Sequence, residues 1–222
     1  MKILIFGATG MIGQGVLREC LAAADVEAVT SIGRNLVAPH PKLKQLARAD
    51  LIDYADIEPD LTGFDACFFC LGVSSGGMSE ADYAHLTYDV TMAAAKTLSR
   101  LNPNMVFTYV TGAGTDSSEK GRVMWARVKG KTENDLKTLP FRGVYLFRPG
   151  VIQPLDGIQS KTASYRILYK IMAPILPLAR AWFPNAIVTT AEMGRAMLAV
   201  ARKGAGREVL EARDIARWDR EP

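Results

Sequence analysis

The sequence predicts an α/β fold, a doubly wound parallel sheet with helices on both faces, and three observations predict it. Short, nearly continuous apolar runs alternate with helical stretches, the pattern of strands buried on both faces and joined by helical crossovers. A glycine-spaced turn stands between the first apolar run and the first helix. No repeat, low-complexity segment or Gly/Ser-rich linker divides the 222 residues, a length that suits one domain with a sizeable core.

In chain order, the first strand is expected over Lys2–Phe6, and a helix over Met11–Ala23 begins as the glycines end. Apolar, β-branched and aromatic runs predict further strands at Glu27–Ile32, Lys44–Ala49, Ala66–Leu71, Met105–Val110 and Gly143–Phe147. Apolar residues at helical spacing predict helices over Glu80–Leu101 and Arg122–Leu136. After Pro149 the rhythm changes. Ser164–Phe183 is apolar but broken by proline, and a shorter helix over Thr190–Arg202 and a strand near Glu208–Leu210 follow. Residues 1–150 therefore read as the core of the domain. Residues 151–222 read as a smaller, substrate-facing lobe folded onto it, with a poorly ordered polar tail from about Arg213.

Composition narrows the classes of function. Hydrophobic residues make up 49% and charged residues 23% of the chain, as in ordinary soluble proteins. The excess of 27 basic over 23 acidic residues is small and dispersed. No basic block with interleaved aromatics argues for nucleic acid. Lys170, Pro174, Pro177 and Arg180 interrupt the longest apolar stretch, Ile167–Phe183, which speaks against a membrane span and suggests a segment covering a pocket. The apolar start is too short for a signal peptide, and three cysteines offer no disulfide framework, so a cytoplasmic protein is expected. Cys67 and Cys70 lie three apart in a predicted strand and must face opposite sides of the sheet. Both read as core residues. With His40 and His85 the chain's two histidines, no metal site is expected.

The first segment with chemistry is Gly7-Ala8-Thr9-Gly10-Met11-Ile12-Gly13. Gly7 permits a tight turn, Gly10 lets backbone amides approach a pyrophosphate, and Gly13 lets the helix pack closely on the strand. The helix N-terminus then offers unpaired N–H donors and a partial positive charge to an anion. Strand, glycines and helix in this order point to a dinucleotide. The second strand runs into Gly33-Arg34-Asn35 without an acidic residue. An acid there would bind the ribose 2′-hydroxyl of NAD, whereas an arginine accommodates the 2′-phosphate of NADP. NADP(H) is expected in preference to NAD(H).

The loop Gly7–Gly13 resembles that of the short-chain dehydrogenase/reductase superfamily, a Rossmann-fold group. The likeness is to its atypical and extended branches, related to nucleoside-diphosphate-sugar epimerases and to the small tumour-suppressor oxidoreductase-type proteins. It extends through further motifs in order, to about Pro149. Asp50-Leu51 is similar to the pair that cups the adenine, and Leu71-Gly72 to the turn lining the adenosine ribose. Val110-Thr111-Gly112-Ala113 is similar to the strand end that presents a catalytic Ser or Thr. Arg148-Pro149-Gly150-Val151-Ile152 is similar to the loop closing over the nicotinamide. The resemblance thus implies cofactor contacts from Gly7, Thr9, Gly10, Met11, Ile12, Gly13, Arg34, Asp50, Leu51, Leu71, Gly72, Lys129, Pro149, Gly150, Val151 and Ile152.

One departure stands out. The superfamily's Tyr-x-x-x-Lys is here Trp125-Ala126-Arg127-Val128-Lys129. Residues four apart share a helix face, so Trp125 and Lys129 still point together. An indole N–H donates a hydrogen bond but cannot exchange a proton as a phenol does. Lys129 and Thr111 remain as candidate catalytic residues, with Trp125 at the tyrosine position. Tyr109 and Tyr145 read as core, Tyr83 and Tyr88 as rim residues, and His85 as packed or solvated. Three functions stay open. One is an oxidoreductase using NADP(H) on a small organic substrate. Another is a non-catalytic NADP(H)-binding regulator or redox sensor, and the third an assembly or membrane-surface adaptor. The two long helices, Glu80–Leu101 and Arg122–Leu136, are suited to a homodimer interface.

Overall fold

A computed structural model describes residues 1–158, 176, 180, 182 and 186–218. The chain opens with strand β1 (Lys2–Phe6), helix α1 (Met11–Ala22), β2 (Ala28–Gly33) and β3 (Leu43–Ala47). It continues through β4 (Ala66–Phe69), α2 (Glu80–Ala84), α3 (Val90–Leu101), β5 (Val106–Val110), α4 (Met124–Leu136) and β6 (Gly143–Arg148). Then come β7 (Val151–Gln153), β8 (Ile187–Thr189), α5 (Thr190–Lys203), β9 (Val209–Glu211) and α6 (Ala212–Trp218).

Seven parallel strands form one sheet in the order β3-β2-β1-β4-β5-β6-β9. The chain moves outward from β1 to β3, then returns to lay β4 on the other side of β1. Such a switch point opens a crevice beyond the carboxyl ends of the strands. The strands are buried on both faces, which explains their unbroken apolar sequences. Ile3 and Ile5 pack with Val16, Cys20, Met193 and Met197 on the side of α1 and α5. Leu4 and Phe6 pack with Phe69, Leu98, Phe107 and Leu136 on the side of α3 and α4. Cys67 belongs to the second cluster and Cys70 borders the first, the opposite placement that strand geometry requires.

Glycine sets the closest helix contact. A Cβ on Gly15 would lie 2.6 Å from the Thr190 carbonyl oxygen, and one on Gly194 would lie 2.7 Å from Glu19 Cγ. Helix α5 therefore seats directly on α1. It starts with a capping box in which Thr189 and Glu192 exchange backbone hydrogen bonds, and Arg180 pairs with the buried Glu192.

The region after Pro149 differs from expectation in three respects. Val151-Ile152, expected in a loop, begins β7, which pairs with β8 to form a separate two-stranded sheet. Within the segment expected as a lobe, residues 187–218 are built into the core, β9 extending the main sheet beside β6. Arg213–Trp218, expected in a loose tail, is helical, because Asp214, Ile215 and Ala216 find burial there. The apolar stretch 167–183 lies outside the described residues except at 176, 180 and 182. Among the described residues no helix is long and apolar enough to cross a membrane. The helix expected over Glu80–Leu101 is continuous in direction but contains a wide π turn at His85–Asp89, between α2 and α3.

Candidate functional site

Two adjoining clefts open at the carboxyl edge of the sheet. The first, of about 270 Å³, is floored by the turn from β1 into α1. Gly7 adopts φ +79°, and a Cβ there would lie 2.8 Å from the backbone of Cys70 and Leu71. A Cβ on Gly13 would stand 2.1 Å from the Gly7 carbonyl oxygen. These positions admit no side chain: backbone already fills the space. The Gly10 amide donates to the Gly7 carbonyl at 2.9 Å, closing the turn. Helix α1 then begins without a side-chain cap and without an acidic residue in its first turn. Its first amides lack intrahelical acceptors and carry the positive end of the helix dipole, a seat for an anion.

Gly7, Thr9, Gly10, Met11, Arg34, Leu51, Leu71 and Gly72 all border this cleft. Gly13 sits behind it, allowing α1 to approach β1. Arg34 is exposed and makes no hydrogen bond or ion pair among the described residues, with Ser31 and Asn35 beside it. Arg48, the other nearby cation, is bound to Asp56 at 2.7 Å. Asp50 is not on the wall: its carboxylate accepts the Ile52 amide at 2.7 Å, shaping the turn that presents Leu51. Cys70, read from sequence as core, lies half-buried against the cleft, and burial pushes its thiol up to about 12. Ser31, Asn35 and Cys70 carry no motif of their own. They become wall residues because β1 lies between β2 and β4 in the sheet.

The second cleft, of about 470 Å³, brings together Ile12, Thr111, Trp125, Lys129, Pro149, Gly150 and Ile152. Val151 points away and is 47% exposed, because successive residues of β7 alternate faces. Val73, Ser74, Ser75 and Tyr83 complete the wall. Tyr83 is the one of these whose sequence environment, a helix after the fourth strand, already suggested a rim position. Helix α4 is held tightly. A Cβ on Gly130 would lie 1.8 Å from the Asp116 carbonyl oxygen, and Arg148 binds the fully buried Glu133 through Nε and Nη2, one edge of its guanidinium.

Trp125 and Lys129 share one face of α4, as their spacing requires. The benzo edge of the indole lies over Gly112 and Gly114, with Cζ3 and Cη2 at 4.0 and 3.8 Å from where a Cβ would stand. Lys129 Nζ donates to the carbonyls of Thr111 at 2.9 Å and Val110 at 3.4 Å. It sits 5.8 Å from the centre of the Tyr109 ring. Desolvation outweighs the attraction of Glu133 and pushes the ammonium down to about 8. Thr111 is pinned, its hydroxyl donating to the Phe147 carbonyl at 3.2 Å. Other residues weighed as proton donors lie elsewhere. Tyr88 donates to Asp135 at 2.6 Å, Tyr109 is buried in the core, and the Tyr145 hydroxyl accepts from the Ala205 amide at 3.2 Å. His85 is exposed beside Asp89.

Known structures share this fold. The structure superposes on an oxidoreductase of the short-chain dehydrogenase/reductase family from Burkholderia thailandensis with a TM-score of 0.66, at 16% identity, covering 96% of this chain and 91% of that one. The chain shares the Rossmann fold of that oxidoreductase. A UDP-glucuronic acid 4-epimerase from Bacillus cereus, solved with NAD, gives a TM-score of 0.68 at 14% identity, covering 96% of this chain and 76% of that one. No family model matches the chain. In sequence it is similar to the protein FMP52-2, mitochondrial, of Scheffersomyces stipitis, 29% identical over 67% of this chain and 65% of that protein. It is also similar to the protein HTATIP2 of Rattus norvegicus, 26% identical over 68% of this chain and 62% of that protein. The match spans a little under two thirds of these relatives. The cytoplasmic expectation is overturned here: FMP52-2 and other fungal relatives are named as mitochondrial, and nothing in the short-chain dehydrogenase/reductase fold sets a compartment.

Proposed function

We propose that this protein binds NADP(H) across the two clefts and is an oxidoreductase acting on a small organic carbonyl compound. The observation that carries the reading is the uncapped start of α1 behind Gly7–Gly13, with Arg34 unpaired at the end of β2. A dinucleotide fits this donor set. The amides of Met11 and Ile12 would hold the pyrophosphate, and Arg34 with Ser31 and Asn35 would hold the 2′-phosphate. Leu51 and Leu71-Gly72 would border the adenosine, while Pro149, Gly150 and Ile152 would border the nicotinamide half. Once bound, a reduced nicotinamide supplies a hydride. The second cleft then contributes an apolar wall from Ile12, Val73 and Ile152, with hydroxyls from Ser74 and Ser75 to orient a small substrate.

Calorimetric titration with NADPH and NADH tests the reading. NADPH is expected to bind more tightly, and Arg34→Ala to weaken it roughly 10- to 30-fold while changing NADH less than about threefold. Equal loss for both nucleotides would show that Arg34 does not read the 2′-phosphate.

A second reading rests on Trp125, whose indole occupies space in the substrate cleft: a redox-sensing NADP(H)-binding protein without turnover. It requires NADPH and NADP+ to bind with different affinities, since a ligand pair that binds equally shifts no equilibrium.

A further inference from the structure

We propose that Lys129 is the proton donor of this site, delivering its own ammonium proton to the substrate oxygen in place of the absent phenol. This rests on the oxidoreductase reading above. The argument starts from what lines the second cleft. Its titratable side chains are Lys129 and Tyr83. Tyr83 is only 2% exposed. Trp125 holds the position on α4 from which a phenol would act, and an indole N–H gives up no proton near neutrality. Thr111 has its hydroxyl committed to Phe147.

Lys129 has the geometry for the task. Of its three N–H bonds, two go to the carbonyls of Thr111 and Val110, which leaves the third for a ligand in the cleft. These two carbonyls end β5, the strand beneath the cleft, so the nitrogen is fixed to a rigid element. The charged and titratable groups facing it are few. Glu133 lies one turn further along α4 and is neutralised by Arg148 from β6, Tyr109 offers its ring from β5, and Tyr83 comes from α2. With Glu133 occupied, burial dominates and brings the ammonium to about 8, close to the operating pH that an efficient general acid needs.

In the step itself, a bound reduced nicotinamide would supply the hydride to the carbonyl carbon, so that the carbonyl would be reduced and the nicotinamide oxidised. The carbonyl π pair moves to oxygen. An O–H bond forms there as one Lys129 N–H bond breaks, leaving a neutral amine that water reprotonates.

The experiment has two arms. In the first, NADPH oxidation is followed against a panel of small aldehydes and ketones from pH 6 to 10. Wild type is expected to lose turnover as pH rises through about 8. Lys129→Arg keeps the charge and donors but cannot release a proton, so it should lose roughly 100-fold in kcat and the alkaline limb, while NADPH affinity stays within about threefold. An unchanged profile in Lys129→Arg, or one abolished by Tyr83→Phe instead, would overturn the proposal and leave the oxidoreductase reading standing. Absence of turnover in wild type with NADPH bound would overturn both. The second arm needs no activity: trace acetylation of the NADP+ complex across pH, read lysine by lysine by mass spectrometry. Lys129 is expected to reach half-reactivity near pH 8. Half-reactivity near the ordinary lysine value, or no labelling at any pH, would overturn the proposal.

Discussion

The two clefts lie side by side at the same sheet edge, yet they depend on different parts of the chain. The first is made largely by backbone: a turn at Gly7, amides at the start of α1, and a single free arginine. Its chemistry depends on side chains that are missing, since a Cβ at Gly7 or Gly13 would strike backbone. The second is made by side chains presented from α4, the end of β5 and the start of β7, and there one residue differs from the superfamily pattern. Backbone sites tolerate little because no rotamer relieves a clash. Side-chain sites can exchange one group and keep their shape, as the indole does over Gly112 and Gly114. Binding and chemistry can therefore diverge within one site, and the experiments below separate them.

The largest effect is expected from Gly13→Val. Its Cβ would stand 2.1 Å from the Gly7 carbonyl oxygen, so α1 must move away from the turn. Calorimetry should show loss of NADPH and NADH alike, roughly 1,000-fold or about 4 kcal/mol. Retained affinity would show that the first cleft does not depend on its backbone.

Next comes Glu133→Ala, which acts on the second cleft through its support. Arg148 would be left buried with Ser117 at 2.7 Å and Glu211 at 3.7 Å as its remaining partners. Removing one member of a buried ion pair costs about 3–5 kcal/mol, and the remaining partners should hold the loss near about 3. Urea denaturation measures it, and a loss below about 1 kcal/mol would mean that Arg148 finds water or another partner.

A smaller change should follow Trp125→Tyr. Placing a phenol four residues before Lys129 on the same helix face should raise carbonyl turnover by about tenfold, near 1.4 kcal/mol in barrier, with nucleotide affinity unchanged. No gain would indicate that the indole shapes the pocket rather than merely replacing a donor.

A last effect concerns pH and stability. The folded state holds the Lys129 ammonium near 8, below its ordinary 10.5. Between these values the unfolded chain binds more protons, so the contribution of this group to stability rises with pH. Wild type should therefore gain on Lys129→Met by about 2 kcal/mol, or about 4–8 °C in Tm, between pH 8 and 10. A difference that stays constant with pH would mean that Lys129 titrates alike in both states.

Much of this arrangement was legible in local sequence. Apolar runs bounded by turn residues placed the strands of the main sheet to within a few residues, and the Gly7–Gly13 spacing placed the turn. The i to i+4 relation put Trp125 and Lys129 on one face before any contact was known. Legibility fails where direction or distance in space decides. Asp50 stands beside Leu51 in sequence, but its carboxylate closes a turn on Ile52 instead of facing the cleft. Val151 and Ile152 were read as one loop, and pairing with a strand 36 residues further on gives them opposite faces. Arg213–Trp218 looks like a polar tail until Asp214, Ile215 and Ala216 find burial.

What the sequence by itself determined is the class of fold, the glycine-spaced turn, the arginine without an acidic neighbour and a tryptophan four residues before Lys129. All of these follow from short-range spacing and from the chemistry of single residues. Tertiary structure alone decided that Lys129 is anchored to the carbonyls of Thr111 and Val110, that Cys70 and Ser31 border the first cleft, and that Glu133 is neutralised by Arg148. The physical reason is the switch between β1 and β4. It brings together the ends of strands distant in sequence, and packing then sets which way each side chain faces and how far water is kept from it.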